Sequence, residues 1–87
     1  MSQQHLFEGE LHWTGQPGED EHGKLKLERA FVIRFKGKAD LLGSADPAFR
    51  GDPTLLNPEE LLVAALNSCH MLTYLALCAR KGITVVA

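Results

Sequence analysis

The pattern of hydrophobic and polar positions divides the chain into a strand-forming first half and a helical second half. From Lys24 to Gly37 apolar and polar residues alternate, which is typical of a β-strand with one buried face. A shorter run, His5 to Trp13, precedes it, and glycine, proline and a cluster of acids separate the two. We therefore predict an antiparallel hairpin. Its apolar face would hold Leu25, Leu27, Arg29, Phe31, Ile33 and Phe35. Its other face would be mostly charged, with Ala30 and Val32 as the exceptions.

The segment from Ala39 to Leu56 contains two Asp-Pro turn signals, at Asp46-Pro47 and Asp52-Pro53. We predict a connecting loop here, with a short strand at its start. At the other end of the chain, "ITVVA" predicts the beginning of another strand.

A long helix is marked at both ends. Asn57 suits the N-cap, Pro58 suits the first helical position, and Glu60 at N3 completes a capping-box arrangement. Arg80 and Lys81 suit the last turn, and Gly82 ends the helix. The predicted helix has about 24 residues and a length of roughly 36 Å.

Apolar side chains cover nearly the whole circumference of this helix, which predicts burial on all sides. The hairpin would cover one side only, so the helix needs a further partner. The run from Leu61 to Leu77 is interrupted by Asn67, Ser68, His70 and Thr73, and we expect it to be too short and too polar for a membrane span. The predicted fold class is α+β, with an antiparallel hairpin or sheet packed on a long buried central helix.

The chain of 87 residues is expected to form one domain, residues 1–87. Its net charge of −2 gives no reason to expect nucleic acid or an anionic membrane as partner. The first residues lack the pattern of a signal peptide, and two cysteines outside a secretory context favour free thiols in the cytoplasm. The four histidines show no metal-ligand spacing, so we expect no metal site.

The two cysteines lie nine residues apart, which on a helix is about 900° and 13.5 Å, so they cannot form a disulfide. Cys78 is most simply a packing residue. Cys69, in the middle of the most buried-looking segment, is either a packing residue as well or a nucleophile kept out of water. His70 points about 100° away from Cys69 and is a poor general base for it.

Arg29 falls on the apolar face of its predicted strand, where a guanidinium needs a partner. That partner is a carboxylate or a thiolate, whose pKa a nearby cation would lower. Alternatively, a bulge or an edge position lets Arg29 reach solvent. Glu59 is either a charge at the helix start or the group that holds Arg29 in place.

The segment "NPEELLVAALNSCHMLTYLAL" resembles the central-helix motif of the OsmC/Ohr family, the osmotically induced and organic-hydroperoxide-resistance proteins. That motif has Asn-Pro-Glu, an apolar stretch and a reactive cysteine ten residues after the Glu, a spacing that Glu59 and Cys69 keep. The "SCHML" form and the preceding "DPAFRGDPTLLNPEE" are similar to the OsmC-like subgroup.

The resemblance implies thiol-dependent reduction of peroxides, organic hydroperoxides above all. It implies that Cys69 is the peroxidatic cysteine and that Arg29 stabilises its thiolate. Glu59 takes the orienting role, in which it holds Arg29 in place. The resemblance implies no cofactor. It implies an external thiol reductant of the dithiol or lipoyl type. Intertwined dimers are typical of the family, and Glu59 and Cys69 are about 15 Å apart along one helix. We therefore expect a homodimer through antiparallel long helices, with Glu59 of one chain near Cys69 of the other.

Family members continue with more strands and another helix, which carries the resolving cysteine. Residues 1–87 contain none of this, so we expect a chain truncated after the central helix, in which an external thiol restores Cys69. Two other functions stay open. One is a non-catalytic dimeric module that binds small molecules, and the other is a thiol sensor whose oxidation alters assembly.

Overall fold

The computed structural model describes residues 4–86 and confirms an α+β chain with antiparallel sheets and one long helix. A three-stranded sheet has the order β1-β4-β5, and a two-stranded sheet pairs β2 with β3. The elements are β1 (Glu10–Trp13), β2 (Pro17–Glu19), β3 (Leu25–Leu27), β4 (Phe31–Arg34), β5 (Leu41–Gly43), a 3₁₀ turn (Pro47–Phe49) and α1 (Pro58–Arg80).

The predicted hairpin is present, but it is interrupted in the middle. Antiparallel pairing joins Trp13 to Phe31 in one part and Pro17 to Leu27 in the other. Residues 14–16 and 28–30 lie between these two parts, outside any strand. The predicted strand from Lys24 to Gly37 therefore becomes two short strands that belong to different sheets.

The predicted apolar face is wrong on both sides of this interruption. Val32, placed on the charged face by the alternation, is the most buried apolar side chain of the described residues, at 3% exposed, and lies between half-buried Phe31 and Ile33 in the continuous strand β4. Leu25, placed on the buried face, is 86% exposed. Period-two alternation relates residues only along a continuous strand, so the break at residues 28–30 separates Leu25 from the faces of β4.

The loop after the hairpin follows the prediction. Its short strand β5 pairs antiparallel with β4, opposite Ile33 at Leu41. Each Asp-Pro site is a turn held by its aspartate: Asp46 Oδ1 accepts from the Ala48 amide at 2.8 Å, and Asp52 Oδ1 accepts from the Thr54 amide at 2.8 Å.

Both ends of α1 form as predicted. Asn57 Oδ1 accepts from the Glu60 amide at 2.8 Å, and Glu60 Oε1 accepts from the Asn57 amide at 3.0 Å, which completes the capping box. At the other end Gly82 has φ +70°. The Ile83 amide donates to the Cys78 carbonyl at 2.8 Å, and the Gly82 amide donates to the Ala79 carbonyl, the bonds of a Schellman motif.

The predicted packing of α1 on the sheet is not formed by the described part of the chain. Among residues 4–86, no strand packs extensively against α1, and Cys78 is the one buried residue of the helix. The molecule extends over 64 × 31 × 21 Å. The helix is apolar all round, as predicted, but its cover does not come from this part of the chain.

The expectation that α1 is too short and too polar for a membrane span is not met by its length and composition. An 18-residue window of the helix has a mean hydropathy of 1.7, which is enough for a membrane span by these two criteria. The core helix of a soluble protein meets the same criteria, so this is weak evidence for a membrane.

The predicted strand at the C-terminal end is not formed by residues 83–86, which have no regular secondary structure. Within residues 4–86 neither sheet includes them, and an isolated strand leaves its backbone groups unpaired. The last residue of the prediction, Ala87, lies outside the described residues.

Candidate functional site

Cys69 lies near the middle of α1 and is exposed, so the expectation that it is buried is wrong for the single chain. Since α1 has no cover here, a thiol in its apolar middle faces solvent. The Thr73 hydroxyl donates to the Cys69 carbonyl at 3.0 Å, one helical turn away.

Cys78 is the buried cysteine, at 6% exposed, in agreement with a packing role. It hydrogen-bonds the Tyr74 hydroxyl, and this bond raises the pKa of Tyr74 above its ordinary value of 10.0. Both residues lie on one side of the last turns of α1, four positions apart.

Arg29 lies in the interruption of the hairpin, between β3 and β4, and is half-buried. Its Nε donates to the Phe49 carbonyl oxygen at 3.2 Å, which ties the hairpin to the 3₁₀ turn. Among residues 4–86 no carboxylate lies within ion-pairing distance of Arg29. Of the alternatives for Arg29, a break in the strand is therefore the one that the single chain displays.

A cavity of about 590 Å³ lies between this interruption and the loop of residues 44–52. Such a volume is in the range of small-molecule sites. Its lining residues are Asp20, Leu25, Lys26, Leu27, Glu28, Arg29, Ala30, Ser44, Arg50, Gly51 and Asp52.

The loop of residues 44–52 is tightly closed. Buried Ser44 accepts at Oγ from the Asp52 amide at 3.0 Å, and its own amide donates to the Leu56 carbonyl at 2.8 Å. A Cβ on Gly51 would overlap the Ala45 carbonyl, so only glycine fits there. Hydrogen bonds from Thr54 hold the pKa of the Asp52 carboxyl below its ordinary value of 3.8.

Sequence reasoning did not single out Arg50. It has φ 65° and ψ 30°, the left-handed conformation, and it is the one non-glycine residue with positive φ among those described. The available signal was its place directly before Gly51, between the two Asp-Pro turns.

Glu59 lies in the first turn of α1 and is exposed. Ten residues of helix separate it from Cys69, about 15 Å of rise. No hydrogen bond or ion pair joins Arg29, Glu59 and Cys69 within residues 4–86, and neither Cys69 nor Glu59 lines the cavity beside Arg29. One chain by itself therefore does not assemble these three side chains.

Within the same residues, no group of three or more His, Cys, Asp and Glu side chains lies close enough together to hold a metal ion. His12 pairs with Glu10 at 2.9 Å and His22 approaches Glu21, both on exposed strand or turn positions.

Comparison with protein families finds a relation for the C-terminal part. The model of the OsmC-like protein family matches residues 51–87. This part of the chain is similar to OsmC-like proteins. The matched segment is part of the family's domain and includes Glu59, Cys69 and Cys78, whereas Arg29 and Arg50 lie before it. Comparison with curated proteins and with solved structures gives no match.

Proposed function

We propose that this OsmC-like chain is a thiol-dependent peroxidase that reduces organic hydroperoxides through Cys69. The observation that carries the proposal is the family match over residues 51–87, which includes Cys69 on the apolar surface of α1. At the level of the family, the match indicates a peroxiredoxin-like function related to oxidative stress. An apolar surface around the thiol favours an organic peroxide over hydrogen peroxide.

The proposed chemistry has two steps. The Cys69 thiolate attacks the terminal oxygen of the hydroperoxide, the O–O bond breaks, and the sulfur becomes a sulfenic acid. The leaving alkoxide takes a proton and departs as an alcohol. An external dithiol then attacks the sulfenic sulfur, and the hydroxyl leaves as water. The second thiol of the dithiol closes its own disulfide and returns Cys69 to the thiol. Two free thiols suit such a cycle in the cytoplasm.

Arg29 is proposed to stabilise the Cys69 thiolate, and Glu59 to hold Arg29. A guanidinium close to a thiol lowers the pKa of that thiol and increases the thiolate fraction at neutral pH. One helix keeps Glu59 and Cys69 about 15 Å apart. We therefore assign both to a single site that is formed by two chains, each of which contributes one of the two residues. Two α1 helices packed antiparallel would bring Glu59 of one copy to Cys69 of the other.

The surface of the single chain supports this assembly. The chain exposes 8024 Å², whereas a compact folded monomer of its mass exposes about 5,100 Å². Doubled for two chains, the excess is at the upper end of the total area buried in obligate dimers. Much of it is on α1, where Leu62, Val63, Leu66, Met71, Leu72, Tyr74 and Leu77 are exposed.

A second function, a non-catalytic module that binds small molecules, is favoured by one observation. The 590 Å³ cavity beside Arg29 is formed without any contribution from Cys69. Such a module needs no activated thiol, so it predicts that Cys69 reacts at the rate of an ordinary cysteine.

The deciding experiment is the rate of sulfenic acid formation at Cys69 with cumene hydroperoxide and with hydrogen peroxide. We expect faster oxidation by the organic peroxide, and a loss of tenfold or more in Arg29→Ala, about 1.4 kcal/mol of activation free energy. Arg34→Ala is the matched control, because Arg34 pairs with Asp40 and does not line the cavity beside Arg29. A rate equal to that of a free thiol in all three proteins would refute the peroxidase.

A further inference from the structure

Arg50 has a backbone conformation that its side chain does not favour. A left-handed φ costs a residue with a Cβ on the order of 1 kcal/mol, and glycine or asparagine adopts it more readily. The conformation is imposed by the loop: the Arg50 amide donates to the Pro47 carbonyl at 3.0 Å, and the Gly51 amide donates to the Asp46 carbonyl at 3.1 Å. A turn that served only to reverse the chain would be better served by glycine at position 50.

The cavity that Arg50 lines is also lined by Arg29. Arg29 is oriented through its Nε, which donates to Phe49, the residue next to Arg50. Within residues 4–86 neither arginine forms an ion pair. Two arginines that line one cavity and form no ion pair have guanidinium groups available for an oxyanion.

The acids around the same cavity are engaged by the backbone. Asp20 Oδ1 accepts from the His22 and Lys24 amides at 2.8 and 2.9 Å, and Asp52 Oδ1 accepts from the Thr54 amide and hydroxyl. Glu28 Oε2 accepts from the Gln16 amide at 3.4 Å. Each of these carboxylates holds a turn or the hairpin in place through one of its oxygens, and none of them forms an ion pair with Arg29 or Arg50.

An apolar surface adjoins the arginines. Leu25 and Leu27 line the cavity and are largely exposed, because the interrupted hairpin gives them nothing to pack against in this part of the chain. A ligand with a hydrocarbon part would cover these side chains and remove their apolar surface from water.

We propose that this cavity binds a small aliphatic carboxylate, with the carboxylate on Arg50 and Arg29 and the hydrocarbon chain on Leu25 and Leu27. The site shares Arg29 with the proposed peroxidase but goes beyond it, because carboxylate binding requires no reaction at Cys69. Its specificity residue is Arg50, which belongs to no part of the proposed thiol chemistry.

The test is a calorimetric titration of the full chain with octanoate. Arg50→Gly is expected to weaken octanoate binding by about tenfold or more, the loss expected for a charge-assisted hydrogen-bonded pair. Since glycine accepts the left-handed conformation without strain, the urea midpoint of Arg50→Gly should equal or exceed that of the unmodified chain. Weaker binding without loss of stability separates a ligand role from a structural one.

One control variant and a set of alternative ligands make the result decisive. Arg34→Ala should bind octanoate as the unmodified chain does, because Arg34 pairs with Asp40 and does not line this cavity. Octanol and acetate, which lack the carboxylate and the long chain respectively, should bind at least tenfold more weakly than octanoate. Equal binding of octanol, or octanoate binding unchanged in Arg50→Gly, would overturn the proposal. If inorganic phosphate bound as tightly as octanoate, the aliphatic part of the proposal would be wrong.

Discussion

A few individual residues, one of them a glycine, determine the conformation of the loop that connects the sheet to the helix. Ser44 and Asp52 close it by a hydrogen bond, Asp46 caps its 3₁₀ turn, and Gly51 allows the backbone to pass directly over Ala45. Because Arg50 lies inside this closed loop, its position beside Arg29 depends on all of them.

Gly51→Ala is predicted to destabilise the protein by about 1–3 kcal/mol, because the new methyl group would overlap the Ala45 carbonyl and force the loop apart. Urea unfolding followed by circular dichroism measures the change. Gly18→Ala is the matched control, since a Cβ at Gly18 meets nothing within 4 Å. Equal stabilities of the two variants would contradict the close packing of this loop.

At the scale of elements, α1 is defined by its own ends. Its capping box, its proline at the first position and its Schellman motif are all local features, and they form although the helix has almost no tertiary cover. Local interactions of this kind contribute a large share of the stability of an isolated helix.

Asn57→Ala is therefore predicted to cost about 1 kcal/mol of stability through loss of the bond to the Glu60 amide. Ser68→Ala serves as the control: its hydroxyl bonds the Ala65 carbonyl within the helix, so its removal should be neutral or slightly stabilising. Thermal unfolding followed by the helical circular dichroism signal distinguishes the stabilities of the two variants. A similar loss in both variants would show that the cap does not limit the stability of α1.

Sequence prediction succeeded for features that depend on neighbouring residues and failed for features that depend on distant ones. The ends of α1 and the two Asp-Pro turns were predictable, because each depends on residues within a few positions of one another. The buried face of the hairpin was not, since the break at residues 28–30 moves Leu25 and Phe31 into different sheets. Arg50 was missed because its left-handed backbone results from closure of the loop, and its place directly before Gly51, between the two Asp-Pro turns, was the only local signal. Burial of Cys69 was predicted from composition, but its cover is absent from the single chain.

At the scale of the whole molecule, the single chain is too extended and too apolar at its surface for a compact domain. Its radius of gyration is 19.0 Å, whereas about 12 Å is expected for a compact domain of 87 residues. Monomeric proteins rarely expose apolar patches larger than a few hundred Å², and α1 presents apolar side chains along its full length. A second copy of the chain is the partner that we propose.

Leu66→Glu is predicted to shift the protein from dimer to monomer, because a carboxylate would lose its hydration in the interface between two α1 helices. Sedimentation velocity at several protein concentrations measures the distribution. Leu6→Glu, which changes an exposed leucine far from the helix in sequence, should leave the dimer intact. A monodisperse monomer for the unmodified chain would refute the proposed assembly.

The most direct test of the account is complementation between two inactive copies. Glu59→Ala alone should oxidise slowly at Cys69, and Cys69→Ser has no Cys69 to oxidise. In a mixed dimer, however, Cys69 of the first copy meets Glu59 of the second. We predict that adding Cys69→Ser protein accelerates sulfenic acid formation in Glu59→Ala protein with cumene hydroperoxide. A rate that does not change with the added protein would contradict an active site shared between two chains.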